Sequence, residues 1–182
     1  MKLLGCVIAA AALSCAVVSG QVNSPLFKQC DPRWGSNEMG TVGNGERATI
    51  CREGCAMSSV SMGLAGLGVK IPSEAGELAA NPGSLNTWLE SNQGYTCAAG
   101  DCNNLVLDAP TKLTNRLKLI GEAAKPSLAS LQASVLSGKI MHIAHVHNSG
   151  HFVLLTGVAP DGYFTCNDPF YETTVCARSP RA

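Results

Sequence analysis

The sequence has no excess of charge of either sign and no cluster of basic residues. Its 182 residues include 13 Lys and Arg and 13 Asp and Glu, so the formal net charge at neutral pH is zero. Nucleic-acid affinity depends on clustered positive charge, because the protein must displace counterions from the phosphates. The composition therefore argues against nucleic acid as a partner.

Only one apolar run approaches the roughly 18 residues that a membrane-spanning helix needs, and it lies at the N-terminus. Lys2 is followed by apolar residues from Leu3 to Val18 and then by small and polar ones, as in a secretory signal peptide. No repeat, low-complexity tract or Pro/Ser-rich linker follows, so residues 21–182 are predicted to form one domain after removal of residues 1–20. A retained anchor, or lipidation of Cys6 or Cys15, is the alternative.

We therefore expect the mature protein to be secreted, or to reach the lumen of a secretory or lysosome-like compartment. There it would be a monomer without contact to a membrane. In such an oxidising compartment cysteines tend to pair, and the seven that remain after signal removal leave one thiol over.

The mature sequence also lacks a Cys-x-x-Cys pair, so disulfides explain its cysteines better than a zinc site does. The sequence does not determine the connectivity. Pairing of nearest neighbours would join Cys30 to Cys51, Cys97 to Cys102 and Cys166 to Cys176. That pairing leaves Cys55 as the free thiol.

The stretch Gly54-Cys55-Ala56-Met57-Ser58-Ser59 opens an apolar run that extends to Gly68. Its apolar residues recur at helical spacing, at Met57, Val60, Leu64 and Leu67. Gly68 is placed to end the helix, and Cys55 to begin it. At a helix N-terminus, backbone N–H groups and the helix dipole favour the thiolate, which is the nucleophilic form. Cys55 is also compatible with a disulfide or with a small buried hydrophobic residue.

Helices come first in the mature chain and strands afterwards. Residues 22–53 are loop-like and residues 71–78 weakly helical, and two further helices are predicted, one capped by Ser84 and ending at Gly94, the other over residues 127–137. Strands are predicted at Ile140–Val146, His151–Val158, Tyr163–Cys166 and Thr173–Ala177. This order predicts an α+β fold, with N-terminal helices packed on a C-terminal antiparallel sheet.

A nucleophilic thiol needs an imidazole as its base, and four histidines lie close together, at positions 142, 145, 147 and 151. If the strands around Pro160-Asp161-Gly162 form a hairpin, Asp168 lies opposite Val153 or Leu155, and in both registers it shares a face with His151. An odd-length loop or a β-bulge would undo this match. A carboxylate beside His151 would orient the ring, so hairpin geometry assembles Cys55, His151 and Asp168 into a triad.

The histidines and the neighbouring Asn167 also allow other interpretations. His151 alone would be an ordinary sheet histidine. Asn167 is a second candidate for the orienting residue, although a regular strand would point its side chain to the other face. His145 and His147 share a strand face at metal-ligand spacing, but no third ligand is evident. We therefore predict neither a metal nor a cofactor.

Several blocks, in order, resemble papain-fold cysteine peptidases typified by bacteriocin leader-processing domains, and especially their single-domain secreted relatives. The resemblance runs from about Leu26 to Asp168. It rests on Leu26-Phe27-Lys28-Gln29 with Asp31-Pro32-Arg33-Trp34-Gly35, on Gly54-Cys55-Ala56-Met57-Ser58-Ser59, on Leu85-Asn86-Thr87-Trp88-Leu89, on Gly150-His151-Phe152-Val153 and on Asn167-Asp168-Pro169.

The resemblance implies a papain-like fold and peptide-bond hydrolysis, with Cys55 as nucleophile, His151 as base and Asp168 as orienting acid. It adds Gln29 as an oxyanion donor beside the Cys55 backbone N–H. Papain-type sequences place this glutamine a few residues before the cysteine, whereas 26 residues separate the two here. A Cys30–Cys51 disulfide would tie that insertion at its base.

The expected partner is a peptide or protein substrate. Two other functions stay open: an amidase of the same fold that acts on cell-wall peptides, and a catalytically inactive binding module.

Overall fold

The structure of the chain, a computed structural model, describes residues 23–41, 48–98, 101–121, 126–146, 150–172 and 175–177, with residues 176 and 177 described by their backbone alone. The predicted signal peptide, residues 1–20, and His147 lie outside this part. Within it, no helix combines the length and the apolar character that crossing a membrane would require.

The described residues contain four α-helices, one 3-10 helix and ten strands. The helices are α1 (Ile50–Glu53), α2 (Cys55–Gly66), α3 (Pro82–Ser91) and α4 (Leu128–Ser137), and the 3-10 helix is Ala109–Leu113. The strands are β1 (Glu38–Met39), β2 (Ala48–Thr49), β3 (Lys70–Ser73), β4 (Gly76–Ala79), β5 (Tyr95–Ala98), β6 (Asp101–Leu105), β7 (His142–Val146), β8 (His151–Val158), β9 (Phe164–Asn167) and β10 (Val175–Ala177).

Strands β1 to β6 form three separate two-stranded antiparallel pairs, and the last four strands form one antiparallel sheet in the order β10-β9-β8-β7. Helix α2 packs against strand β8. The combination of helices and small antiparallel sheets is an α+β arrangement, in agreement with the predicted fold class.

Helix α2 begins at Cys55 and ends where the sequence predicts, because Gly68 takes a left-handed φ of 68°. The N–H of Val69 then donates back to the Leu64 carbonyl oxygen at 3.0 Å, the 6→1 bond of a helix that ends at a left-handed residue. The predicted apolar face is buried except for Leu67, which is 45% exposed. Leu67 follows the last helical residue, so the helical spacing no longer applies to it.

Residues 71–78 form the β3–β4 hairpin, so the prediction that they are weakly helical is wrong. Ile71 pairs with Leu78, and Ser73 with Gly76. The Ser73 hydroxyl donates to the Gly76 carbonyl oxygen at 2.7 Å, and Gly76 has a φ of 111°, which glycine adopts readily. Cross-strand pairing around this turn outweighs a helical pattern that is short and weak.

Helix α3 begins at Pro82 and not after the predicted cap, Ser84. The N-cap is Asn81, whose side chain accepts the Ser84 N–H at 3.0 Å, while the Ser84 hydroxyl accepts the Asn81 N–H at 3.1 Å. Proline fits the first helical position because it has no N–H to satisfy there. The helix ends at Ser91, short of the predicted Gly94.

Helix α4 and the described strands of the sheet match their predicted positions to within two residues. Ser127 caps α4 by accepting the Ser130 N–H, and Gly138 ends the helix with a φ of 63°. Strand β7 begins at His142 instead of Ile140.

The buried apolar side chains form two clusters. The helical cluster contains Trp34, Met39, Ile50, Met57, Val60, Leu64, Val69, Ile71, Ala80, Leu85, Trp88, Leu89, Tyr95 and Ala109. The sheet cluster contains Val135, Val153, Leu155, Phe164 and Cys166. The predicted nucleophile begins a helix of the first cluster, whereas His151 lies on a strand of the second and Asp168 directly follows another, so the site lies where the two clusters meet.

Candidate active site

Cys55 is the first residue of helix α2, one residue after the end of α1. Gly54 separates the two helices, and a Cβ atom at this position would lie 2.5 Å from the Ile50 carbonyl oxygen. Only glycine leaves room for this contact. The Gly-Cys pair of the sequence therefore places Cys55 at a helix N-terminus that is packed closely on the preceding turn.

Cys55 is the free cysteine among the described residues. The structure contains disulfides at two of the three local pairs that the spacing favours, Cys30–Cys51 and Cys97–Cys102. Cys166 is disulfide-bonded too. The side chain of its predicted partner, Cys176, lies outside the described atoms, although the strands that carry the two residues pair.

Helix α2 meets strand β8 at the backbone of Phe152. The Phe152 carbonyl oxygen accepts a 3.1 Å hydrogen bond from the Ser59 hydroxyl. Cys55 and Ser59 are about one helical turn apart, so they lie on the same face of the helix. Because His151 precedes Phe152, this contact places the helix face of Cys55 beside the strand position that carries the imidazole.

His151 and Asp168 are joined by a 2.8 Å contact between the imidazole Nε2 and the carboxylate Oδ1. Both residues are buried, with exposures of 7% and 1%. The same oxygen, Oδ1, accepts the backbone N–H groups of Phe170 at 2.8 Å and Tyr171 at 2.9 Å. The carboxylate is therefore held by two backbone donors as well as by the ring.

The β8–β9 hairpin that places Asp168 beside His151 is less regular than the sequence predicts. Ala159 donates its N–H to the Tyr163 carbonyl oxygen at 2.7 Å, which leaves a three-residue loop with Gly162 at a φ of 83°. This odd-length loop by itself would turn Asp168 to the wrong face. A register shift between Leu155 and Gly157 compensates for it, and beyond the shift Leu154 pairs with Asn167.

One further step along that register places Asp168 level with Val153, which is the first of the two predicted registers. The loop and the bulge each reverse the side-chain alternation, and together they restore it. The sequence argument thus reached a correct pairing through a hairpin more regular than the one that forms.

Gln29 is buried, with 2% exposure, and it lies between the two halves of the site. Its side-chain Nε2 donates to the Cys51 carbonyl oxygen at 2.7 Å, and its backbone N–H donates to the Pro169 carbonyl oxygen at 2.8 Å. The glutamine is thus held both by the turn that leads to Cys55 and by the loop that follows Asp168, although 26 residues separate it from Cys55.

Burial raises the pKa of the Cys55 thiol. Hydrogen bonds from the backbone N–H groups of Phe152, Ala56 and Cys55 itself lower it, and the negative charge of Asp168 raises it further, with burial the largest effect. The sequence suggested that the helix N-terminus favours the thiolate. In the folded chain the loss of hydration outweighs this, so burial favours the neutral thiol over the thiolate.

The remaining polar candidates have other contacts. The Asn167 side chain donates to the backbone oxygens of Ser24 and Pro25, at 2.9 and 3.2 Å. His145 stacks on Phe152 at 4.0 Å between ring centroids. In the chain as described, no group of three or more His, Cys, Asp or Glu side chains is arranged to hold a metal ion.

Two contributors to the site were not found from the sequence, Lys28 and Ser59. Ser59 binds a strand residue 93 positions away, and the Lys28 ammonium binds the Asp168 and Tyr171 carbonyl oxygens at 3.2 and 2.6 Å. The only signal was their position next to residues already chosen, Lys28 before Gln29 and Ser59 one turn after Cys55.

In this α+β chain, the helix that begins at a free cysteine packs against a strand whose histidine binds a buried aspartate. A family model described as the Peptidase_C39 like family matches residues 21–179. The chain belongs to this family, as the resemblance of its sequence blocks suggested. The searches of curated proteins and of solved structures gave no match.

Proposed function

We propose that this protein is a secreted cysteine peptidase with a papain-like arrangement, which hydrolyses peptide bonds through an acyl-enzyme on Cys55. The observation that carries the proposal is the 2.8 Å contact of His151 with the buried Asp168, because the strand of His151 packs against the helix that begins at the free Cys55.

In the first half of the reaction His151 takes the proton of the Cys55 thiol, and the sulfur attacks the carbonyl carbon of the substrate. Because Asp168 holds Nε2, we assign this proton transfer to Nδ1. Negative charge develops on the substrate oxygen, where the Gln29 side-chain amide and the Cys55 backbone N–H would donate to it. His151 then returns the proton to the amine nitrogen as the C–N bond breaks, leaving a thioester and a free amine.

In the second half His151 removes a proton from water, and the resulting hydroxide oxygen attacks the thioester carbon. The C–S bond breaks, and the sulfur recovers the proton from His151. The products are a carboxylic acid and the regenerated thiol. Because burial raises the pKa of the Cys55 thiol, we assign His151 the role of the base that removes its proton in the first step.

Peptides or unfolded proteins are the proposed substrates, and a monomer in an oxidising compartment is the proposed working form. The two described disulfides support such a compartment, since disulfides persist where thiols are not kept reduced.

The first test compares wild-type protein with Cys55→Ala and His151→Ala on a defined peptide library, with cleavage followed by mass spectrometry. His142→Ala is the matched control, because His142 lies on the neighbouring strand and contacts Ser134 instead, at 2.9 Å. Both site variants should lose at least about 10³-fold in kcat/KM, while the control stays close to wild type.

Equal cleavage by wild type and Cys55→Ala would contradict the proposal. A parallel assay on cell-wall peptide fragments separates the possible substrates: cleavage of those fragments without cleavage of the library would favour the amidase function. A wild-type protein that cleaves neither, and whose Cys55 resists iodoacetamide, would indicate an inactive binding module.

A further inference from the structure

The segment Lys28–Cys30 contacts both halves of the candidate site. On one side it binds the loop that carries Asp168: the Lys28 ammonium binds the carbonyl oxygens of Asp168 and Tyr171 and lies 3.4 Å from the Glu172 carboxylate. The Gln29 N–H adds its bond to the Pro169 oxygen in the same loop. Four polar contacts therefore attach this segment to the loop that orients His151.

On its other side the same segment is fixed to the turn that precedes Cys55. The Gln29 Nε2 donates to the Cys51 carbonyl oxygen, and Cys30 forms a disulfide with Cys51. The residue that follows Gln29 in the chain is thus covalently bonded to the residue that Gln29 binds. The disulfide therefore limits how far the backbone of Gln29 can move away from the Cys51 carbonyl oxygen.

We propose that the Cys30–Cys51 disulfide is a positioning element for catalysis, which together with Lys28 holds Gln29 where its amide can donate to the oxyanion. The inference rests on the proposed peptidase function and explains how Gln29 is held in position for it. Cys55 takes no part in the disulfide. Loss of the Cys30–Cys51 disulfide should therefore impair turnover and leave the Cys55 sulfur reactive.

The rest of the loop has other attachments, which makes this separation possible. The Ile50 N–H donates to the Asn37 carbonyl oxygen and the Cys51 N–H to the Gly35 carbonyl oxygen, each at 2.9 Å. These backbone bonds hold α1 in place without the disulfide. We therefore expect a variant without the disulfide to fold, and we expect the position of Gln29 in particular to change.

The test is a double-mutant cycle between the disulfide and the glutamine. One arm replaces both cysteines, Cys30→Ser with Cys51→Ser, a second carries Gln29→Ala, and a third combines the two. The matched control removes the other local disulfide, Cys97→Ser with Cys102→Ser. Each variant is assayed for kcat/KM on a peptide that the wild type cleaves and for the second-order rate of Cys55 alkylation by iodoacetamide, which needs no oxyanion donor.

Removal of one oxyanion donor typically lowers kcat by about 10²–10³-fold, and we expect both Gln29→Ala and the Cys30/Cys51 variant to approach this loss. The combined variant should lose less than about threefold more, because the disulfide acts through the glutamine. Alkylation of Cys55 should stay within about threefold of wild type in every arm, and the control should keep its turnover.

Losses that multiply in the combined variant would overturn the proposal, as would full turnover without the disulfide. Parallel loss of turnover and alkylation would also overturn it, because it indicates general disruption of the site. A wild-type protein that cleaves no peptide would end the proposed function itself and the positioning role with it, an outcome distinct from the others.

If the Cys30/Cys51 variant does not fold, Lys28→Met tests the positioning role of the segment Lys28–Cys30 through its contacts with the loop that carries Asp168. It should lower kcat about tenfold with KM little changed, and Lys28→Arg should restore part of the loss because the cation is retained. Lys70→Met, at an exposed lysine of strand β3, is the control. Unchanged kcat in Lys28→Met would overturn the role of this segment.

Discussion

The two carboxylate oxygens of Asp168 are used very differently. Oδ1 accepts three hydrogen bonds, from the His151 ring and from the N–H groups of Phe170 and Tyr171. Oδ2 is buried and has no hydrogen-bond partner among the described residues. The orienting role thus rests on one oxygen, and the two backbone donors require that an oxygen occupy that position.

This asymmetry predicts that Asp168→Asn is much milder than Asp168→Ala. The amide oxygen of asparagine would take the Oδ1 position, because two N–H donors point there, and the ring would keep its orientation. We expect kcat/KM to fall by about tenfold or less in Asp168→Asn and by about 10²-fold or more in Asp168→Ala. Steady-state kinetics on one cleaved peptide measures the difference.

The asparagine variant should also be less stable, since its amide N–H groups are buried at the Oδ2 position without an acceptor. A cost of about 1–3 kcal/mol in the free energy of unfolding is expected. Equal activity of the two variants would show that charge, and not orientation, is what Asp168 contributes.

At the scale of elements, the site depends on how helix α2 docks on strand β8. The Ser59 hydroxyl of the helix donates to the Phe152 carbonyl oxygen of the strand. This contact is made to the backbone, so it places no requirement on the side chain at position 152.

Ser59→Ala should therefore impair chemistry as well as stability. The Phe152 carbonyl would lose its donor, the strand could shift along the helix, and the N–H contact that lowers the Cys55 pKa would weaken. We expect kcat to fall roughly tenfold, and the pH dependence of Cys55 alkylation to move to higher pH.

Ser61→Ala is the control for this experiment, because Ser61 is buried in the same helix but donates to Ser58 of that helix at 2.7 Å. It should lose stability without a change in the pH profile. If the pH profile of Cys55 alkylation is the same in Ser59→Ala and Ser61→Ala, the contact between Ser59 and Phe152 has no effect on the Cys55 pKa, and the prediction is wrong.

For the whole molecule, the site joins two apolar clusters that share no residue. Helix α2 contributes to the helical cluster. The strand of His151 and the strand that ends before Asp168 contribute to the sheet cluster, and the segment Lys28–Cys30 has contacts on both sides. A site at such a junction is formed only when both clusters are formed. We therefore expect the two clusters to unfold together.

Phe164→Ala tests this cooperativity. Phe164 is 4% exposed in the sheet cluster, and its truncation should cost about 3–5 kcal/mol. Both tryptophans of the protein, Trp34 and Trp88, lie in the helical cluster, so their fluorescence reports on the half that carries no mutation.

In urea, the fluorescence midpoint of the variant should fall together with the far-UV circular dichroism midpoint. A fluorescence transition that stays at the wild-type midpoint while circular dichroism splits into two steps would show that the clusters unfold separately.

The sequence by itself determined the features that depend on neighbours within about twenty residues. The start of α2 at Cys55, its termination before Gly68, the cap of α4 and the two short-range disulfides follow from spacing and from local backbone preferences. The same reasoning failed for residues 71–78, where a weak helical pattern competed with a two-residue turn.

Only the tertiary structure decided how these pieces meet. Asp168 reaches His151 because an odd loop and a bulge cancel, and neither has a clear signature in the sequence. Gln29, Lys28 and Ser59 act on residues far away in the chain, at separations that spacing rules do not cover. The pKa of the Cys55 thiol likewise reflects burial by the whole fold, which reverses what the helix N-terminus alone would favour, because hydration is lost to every element packed around the sulfur.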